Sequence, residues 1–111
     1  VTVLKNLVGD DPDVVKDLFN SFIDSARQQV IQLRTAFELD DTKTISTIAH
    51  KLKAASRSVG AITLGDFCAE LENAGRTANQ MAINNHLVNV ETELKEAETA
   101  IHQLSLQEPS L

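Results

Sequence analysis

Apolar residues recur at intervals of three and four along almost the whole chain, and no long stretch alternates with a period of two. In an α-helix this spacing gathers the apolar side chains on one face and leaves the polar side chains on the other. The pattern therefore predicts an all-α fold.

Caps and glycines divide the pattern into five helices. Asp40-Asp41 and Asn79 are predicted N-caps, because their side chains can accept hydrogen bonds from free N–H groups of a first helical turn. Gly9, Gly60 and Gly75 are the predicted ends, since glycine readily adopts the left-handed backbone that follows a helix. The predicted helices are a short one over about 2–8, one from the Asp10-Asp11-Pro12 cap to about Leu39, and three over about 42–58, 62–74 and 80–104.

Four substantial helices joined by short connections neighbour one another antiparallel, which is the up-and-down four-helix bundle. The short first helix is expected to cap one end of this bundle. Residues 1–104 would form the bundle, and residues 105–111, which include Pro109, a C-terminal tail. The predicted inward positions are Val15, Leu18, Phe19, Phe22, Ala26, Val30, Leu33, Phe37, Ile45, Ile48, Ala49, Leu52, Ala55, Val59, Leu64, Phe67, Cys68, Leu71, Leu87, Val90, Leu94, Ala97, Ile101 and Leu104.

His50 lies on the polar side of the predicted helix over 42–58. At about 100° per residue it falls almost opposite the centre of the apolar stripe. Ala54 and Arg57 share its face, and Lys53 lies on its flank. An isolated surface histidine usually has no function, but the small Ala54 leaves room above the ring and the two cations would stabilise an added dianion. The pattern thus predicts an exposed histidine suited to carrying a phosphoryl group.

Residues 43–76, which contain His50, differ in charge from the rest of the chain. The whole chain has a formal net charge of -6, whereas residues 43–76 hold five cations and three acids and are therefore positive. The acidic body disfavours binding to a nucleic-acid backbone, and four Phe with no Trp or Tyr offer little for stacking on bases. No apolar run approaches the roughly 18 residues that span a bilayer, so no direct membrane contact is expected. The single Cys68 cannot form an intrachain disulfide, which is typical of a cytoplasmic protein.

A family resemblance rests on the segment after His50. The run His50-Lys51-Leu52-Lys53-Ala54-Ala55-Ser56, followed by Val59-Gly60-Ala61, Leu64, Cys68, Leu71-Glu72 and Gly75-Arg76, resembles the histidine-containing phosphotransfer (HPt) domain of bacterial multistep phosphorelays. The resemblance implies a monomeric helical bundle that accepts a phosphoryl group on Nε2 of a histidine from the aspartyl phosphate of one receiver domain. The group then passes, reversibly, to an aspartate of another receiver domain.

By position, the resemblance makes His50 the phosphorylated residue and Lys53 the residue that neutralises the phosphoryl oxygens. Glu72 matches the position whose side chain holds Nδ1–H of the imidazole; some members have glutamine there. The residues expected to contact the receiver are Lys51, Ala54, Arg57 and Ala61. Ala54 departs from the family, which usually has glycine or another very small residue there. The resemblance implies no cofactor on this chain, because the Mg²⁺ of the transfer belongs to the receiver, and it is compatible with a cytoplasmic C-terminal domain of a membrane-anchored hybrid sensor kinase.

Three other functions are compatible with a helical bundle that carries an exposed histidine. A kinase dimerisation domain has an acid directly after its histidine and a proline soon afterwards, whereas Lys51 follows here and no proline lies between Pro12 and Pro109. The chain also has no glycine-rich nucleotide loop, so autophosphorylation from ATP is disfavoured.

A metal-binding bundle would need Glu-x-x-His pairs, which His86 and His102 lack, so no metal site is predicted. A helical adaptor that docks receiver domains without carrying phosphate stays open as the alternative.

The remaining polar and sulfur-containing residues have structural interpretations. His86 and His102 are predicted to lie at the boundary of the core or in solvent, and Met81 in the core or at its edge. Cys68 is predicted to fill the core. Lys43 and Arg76 are interpreted as cations at helix ends, where they favour solubility or interact with the helix dipole.

Overall fold

The computed structural model describes the backbone of residues 12–107 and the side chains of residues 17–100. The helices are α1 (Pro12–Glu38), α2 (Thr42–Ser58), α3 (Ile62–Arg76) and α4 (Gln80–Gln107), with no strand in this part of the chain. The all-α prediction is confirmed. The predicted helix over 2–8, with its end at Gly9, lies outside the described residues, as do the side chains of Val15, Ile101, His102 and Leu104.

The four helices form a closed ring in which each packs against the two that adjoin it. The backbone of α1 lies close to those of α2 and α4, and α3 lies close to the same two helices, whereas the diagonal pairs α1 with α3 and α2 with α4 stay farther apart across the described bundle. Ion pairs show the direction of packing: Arg27 pairs with Glu98 and Arg34 with Glu91, so α1 and α4 run antiparallel. The predicted up-and-down four-helix bundle is confirmed.

Two of the predicted caps determine where helices begin. Asp41 precedes α2, and its side chain accepts hydrogen bonds from the backbone N–H of Thr44, at 3.1 Å, and from the Thr44 hydroxyl, at 2.6 Å. Asn79 precedes α4 and accepts from the N–H of Ala82 at 3.1 Å. Gly60, with φ of 84°, ends α2 in the left-handed conformation, as predicted.

Gly75 was wrongly predicted to end its helix. α3 continues to Arg76, and the left-handed residue after it is Ala78, with φ of 54°. Gly75 is buried within the helix instead, where α3 crosses the first turn of α2 closely. Its lack of a side chain serves this close approach. α4 also ends later than predicted, at Gln107 instead of about Leu104; whether residues 105–111 form a separate tail stays a prediction.

The core runs along the axis of the ring. Fully buried side chains come from all four helices and include Leu33, Leu52, Leu71 and Leu87. The predicted inward residues with described side chains are all buried or partly buried. The amphipathic pattern missed Ile23, Ala36, Ser56, Ala74 and Ile83, which are also buried. Cys68 is completely buried, whereas Met81 is 76% exposed and lies outside the core.

Within the described part of the chain, none of the four helices combines the length with the apolar content that a membrane span requires.

Candidate functional site

His50 lies in the middle of α2 with its ring largely in solvent. Its side chain is 60% exposed, whereas the preceding residue, Ala49, is completely buried. The prediction that His50 faces away from the core is confirmed. Its ring is therefore open to a partner molecule on one side.

The other side of the ring meets a buried carboxylate from α3. Nδ1 of His50 lies 3.0 Å from Oε2 of Glu72, and the Glu72 side chain is only 5% exposed. Lys53 donates to Oε1 of the same carboxylate at 2.7 Å, and Arg76 donates to Oε2 at 2.6 Å. One carboxylate thus joins three side chains from two helices, and we call these four residues the His50 cluster.

The packing of α2 on α3 explains why Glu72 reaches His50. Gly65, Glu72 and Gly75 are buried on α3 at spacings of seven and three residues, which places them along one stripe of the helix. A Cβ on Gly75 would lie 3.1 Å from the backbone N of Ser46 in α2, so the two helix backbones are in close contact there. At this separation, the Glu72 side chain is long enough to reach His50 and Lys53 on α2.

Electrostatics keep the Glu72 carboxylate ionised. The hydrogen bond from Lys53 lowers the pKa of Glu72 and outweighs burial, which by itself would raise it. The hydrogen bond to His50 and the charges of Lys53 and Arg76 lower this pKa further. An ionised carboxylate can only accept hydrogen bonds, so Nδ1 of His50 must carry the hydrogen of their contact.

This tautomer decides what the ring can do chemically. When Nδ1 of a neutral imidazole carries the hydrogen, Nε2 carries the free lone pair. The two nitrogens of the ring point in different directions, so Nε2 is directed away from Glu72, on a side chain that is largely exposed. The arrangement presents Nε2 as a nucleophile with two cations nearby.

The other residues predicted to contact a partner are not all next to His50. Lys51 and Ala54 are exposed and lie one residue and one helical turn from it. Arg57 instead pairs with Asp66 of α3 at 3.4 Å. Ala61 is the N-cap of α3, at the end of the bundle and about three helical turns beyond His50.

Arg76 belongs to the His50 cluster, a role not predicted for it from the sequence. It was interpreted as a cation at a helix end, and it does lie in the last turn of α3, yet its guanidinium binds Glu72. The signal was present in the sequence, because residues 72 and 76 are four apart and therefore lie on the same face of one helix.

Among the described residues, no second group of side chains offers a comparable site. The described side chains include no group of three or more His, Cys, Asp or Glu that could hold a metal ion. His86 on α4 lies at the core boundary, 29% exposed, with Nδ1 3.2 Å from Oε2 of Glu70. Burial raises the pKa of the Cys68 thiol to about 12, so this cysteine stays protonated and unreactive at neutral pH.

Comparison with known proteins assigns the fold and the site region to one family. Residues 17–105 match the family described as the Hpt domain. No curated protein matches the chain significantly.

Solved structures of phosphotransfer proteins share the fold. Histidine-containing phosphotransfer protein B from Pseudomonas aeruginosa superposes with a TM-score of 0.87 at 22% identity, over 97% of this chain and 94% of that one. The maize phosphotransfer protein ZmHP2 has a TM-score of 0.78 at 23% identity, over 97% and 81% of the two chains. The HPT domain of a sensor hybrid histidine kinase from Shewanella has a TM-score of 0.77 at 22% identity, over 99% and 94%.

Proposed function

Since the chain belongs to the Hpt domain family and is a phosphotransfer intermediate of a phosphorelay, we propose that His50 is the residue that carries the phosphoryl group. One observation supports this assignment above the others: an ionised, buried Glu72 holds Nδ1–H, so the lone pair is on Nε2 of a largely exposed ring. The half-buried His86 has no comparable exposure.

The chain acts with receiver domains, which supply and remove the phosphoryl group. In the proposed step, the Nε2 lone pair attacks the phosphorus of a receiver aspartyl phosphate. The Nε2–P bond forms, the P–O bond to the aspartate breaks, and the aspartate leaves as a carboxylate. Transfer to a second receiver is the same step in reverse, and the Mg²⁺ that assists it is expected on the receiver.

Lys53 and Arg76 supply positive charge beside the reacting group. Phosphoryl transfer depends mainly on positioning and on charge stabilisation, because the protein has little covalent chemistry to perform. Both cations already bind the Glu72 carboxylate, which holds them within one side-chain length of the imidazole. Lys51 and Ala54, exposed on the same helix, are proposed to contact the docked receiver.

The assignment of His50 is tested by incubation with a phosphorylated receiver domain. We expect acid-labile, alkali-stable label on the wild-type chain and none on His50→Gln. The matched control is His86→Gln, which should accept label at the wild-type rate. Label that persists on His50→Gln would show that another residue is the carrier, and the absence of label on the wild-type chain would favour the adaptor without phosphate.

A second measurement tests Lys53. Lys53→Ala should slow transfer by roughly 10-fold or more, since it removes the cation proposed to neutralise the phosphoryl oxygens, and a hydrogen bond to a charged group is worth about 1.5–3 kcal/mol. Lys95→Ala, which removes an exposed lysine on α4 away from the His50 cluster, is the control and should transfer normally. Equal rates for the two variants would remove Lys53 from the reaction.

As an Hpt domain the chain is a phosphocarrier and not a classical enzyme. We further propose that it neither binds ATP nor phosphorylates itself, and that it acts in the cytoplasm as a monomer. Its large exposed apolar residues support a monomer, because those in the described structure are spread over three helices and the loop after α1: Ile31, Leu39, Ile62, Met81 and Val88. Light scattering during size-exclusion chromatography tests the oligomeric state.

A further inference from the structure

The partner of the His50 ring is a carboxylate, although an amide could make the same contact. Glutamine at position 72 could accept the Nδ1–H hydrogen bond through its oxygen, and after rotation it could donate an N–H to an unprotonated Nδ1. Glutamate can only accept while it is ionised. The choice of glutamate therefore restricts which protonation state of the ring can be accommodated.

The charges around Glu72 hold it in this state and orientation. Lys53 of α2 binds Oε1, and Arg76 of α3 binds the same Oε2 that faces Nδ1. No charged or titratable group of α1 or α4 contacts Glu72 in the described structure. Because the Glu72 side chain is only 5% exposed, water screens its interaction with the ring very little.

We propose that Glu72 keeps the Nδ1 proton on His50 throughout the phosphoryl cycle, so that the phosphorylated ring remains an imidazolium and releases its phosphoryl group readily. This inference deepens the function proposed above and rests on His50 being the phosphorylated residue. Glu72 acts here as a positioning residue, because it touches the carrier ring and not the phosphoryl group.

The proton balance of the transfer shows what Glu72 does. A neutral imidazole with hydrogen on Nδ1 attacks the aspartyl phosphate through Nε2, and the aspartate leaves with the electron pair of the broken P–O bond. The ring gains the N–P bond without losing its Nδ1 hydrogen, so the product is a phosphoimidazolium. In the return step the ring leaves as a neutral imidazole with the same hydrogen, and no proton has to enter or depart.

Loss of the Nδ1 hydrogen from the phosphorylated His50 ring would cost free energy in this site. An unprotonated Nδ1 would direct its lone pair at the carboxylate oxygen 3.0 Å away, and neither atom would have a hydrogen to share. The phosphorylated ring would also become a poor leaving group, because it would have to depart as an anion. Glu72 therefore favours a short-lived, readily transferred phosphohistidine over a stable one.

Nitrogen NMR of the phosphorylated protein tests this inference. We would phosphorylate ¹⁵N-labelled wild-type, Glu72→Gln and Glu70→Gln proteins with phosphoramidate and follow the Nδ1 resonance of His50 with pH. Glu70→Gln is the matched control, because it makes the same substitution on α3 at an exposed carboxylate that faces His86. We expect Glu72→Gln to lose the Nδ1 proton about 1–3 pH units below the wild-type, the usual effect of one neighbouring charge, and Glu70→Gln to match the wild-type.

The lifetime of the phosphohistidine gives a second readout that a merely structural role would not alter. At a pH between the two titration midpoints, phosphohistidine decay in Glu72→Gln should slow by about tenfold for each pH unit above its own midpoint, while the wild-type still decays at its full rate. Identical Nδ1 midpoints in wild-type and Glu72→Gln would overturn the inference.

A reference without any variant covers the case in which Glu72→Gln does not fold. Free Nε2-phosphohistidine should lose its Nδ1 proton at least one pH unit below the phosphorylated wild-type protein, and an equal or higher midpoint for the free compound would overturn the inference. Phosphoramidate makes this test independent of receiver domains. If receivers fail to label His50 while phosphoramidate succeeds and the midpoints differ as expected, the relay function fails and the role of Glu72 stands.

Discussion

Replacing Gly75 by alanine is expected to destabilise the bundle even though alanine is the better helix former. The added Cβ would lie 3.1 Å from the backbone N of Ser46, 3.2 Å from the backbone O of Thr42 and 3.3 Å from Cγ2 of Ile45. Two of these three atoms belong to the backbone of the first turns of α2, so they cannot rotate away as a side chain would. The helices must separate by a few tenths of an ångström.

The expected loss follows from two opposing effects. Overpacking a closely packed site typically costs about 1–3 kcal/mol. Replacing glycine by alanine inside a helix gains about 1 kcal/mol. The net expectation is a loss of about 1 kcal/mol in the free energy of unfolding, which corresponds to a fall of roughly 4 °C in Tm for a domain of this size.

Gly65→Ala provides the matched control on the same helix. Its Cβ would lie 2.9 Å from Cγ of Arg57, a flexible side chain that is 47% exposed, and 3.6 Å from the nearest backbone atom. Because Cγ is close to the backbone, Arg57 relieves this contact only by rotating about χ1. The rotation costs its exposed ion pair with Asp66, which is worth about 0–1 kcal/mol and offsets the helix gain. The stability of Gly65→Ala should therefore stay within about 0.5 kcal/mol of the wild-type.

Urea unfolding followed by far-ultraviolet circular dichroism measures both variants under identical conditions. Gly75→Ala should unfold at a lower urea concentration than Gly65→Ala, with the same slope m. If Gly75→Ala proved as stable as Gly65→Ala or more stable, the close approach of α3 to α2 at this position would be refuted.

Three further results are expected. Because the pKa of Glu72 is lowered in the folded state, its contribution to stability is complete above the ordinary glutamate pKa of 4.5 and is lost as the pH falls through the lowered pKa. The urea midpoint should therefore fall less steeply between pH 6 and pH 3 for Glu72→Gln than for the wild-type. Parallel curves for the two proteins would contradict this expectation. The partly buried ion pair of Arg34 and Glu91 should show a coupling free energy of about 0.5–1 kcal/mol in a double-mutant cycle of Arg34→Met and Glu91→Gln. If the effects of the two substitutions on stability were additive, the ion pair would not hold α1 to α4. Cys68 should react with iodoacetamide only after unfolding, since it is buried and its pKa is about 12; rapid labelling of the native protein would show that α3 opens locally.

The sequence predicted most of the fold because its signals are local. The period of three to four residues, the Asp41 and Asn79 caps and the left-handed Gly60 all act within one helical turn, and each has the predicted role in the structure. Gly75 was misread because a helix end and a close helix crossing both select glycine. Only the position of α2 distinguishes the two roles.

The His50 cluster was predictable only in part for the same reason. The exposure of His50 follows from its position on one helix, which the sequence specifies. The contact with Glu72 was implied by family resemblance and not by spacing, because it joins residues 22 positions apart. Arg76 was overlooked because its position near a helix end had a sufficient explanation without any partner.

The sequence by itself determined the four helices, the direction in which His50 faces and the membership in a phosphotransfer family. Tertiary structure decided that the buried carboxylate of Glu72 meets His50, Lys53 and Arg76 together, and hence which ring nitrogen carries the hydrogen. The physical reason is that periodicity fixes which face of a helix is apolar, whereas the separation and register of two packed helices fix which polar atoms come within hydrogen-bonding distance. In this protein the close packing at Gly75 keeps α2 and α3 near enough for one glutamate side chain to join them.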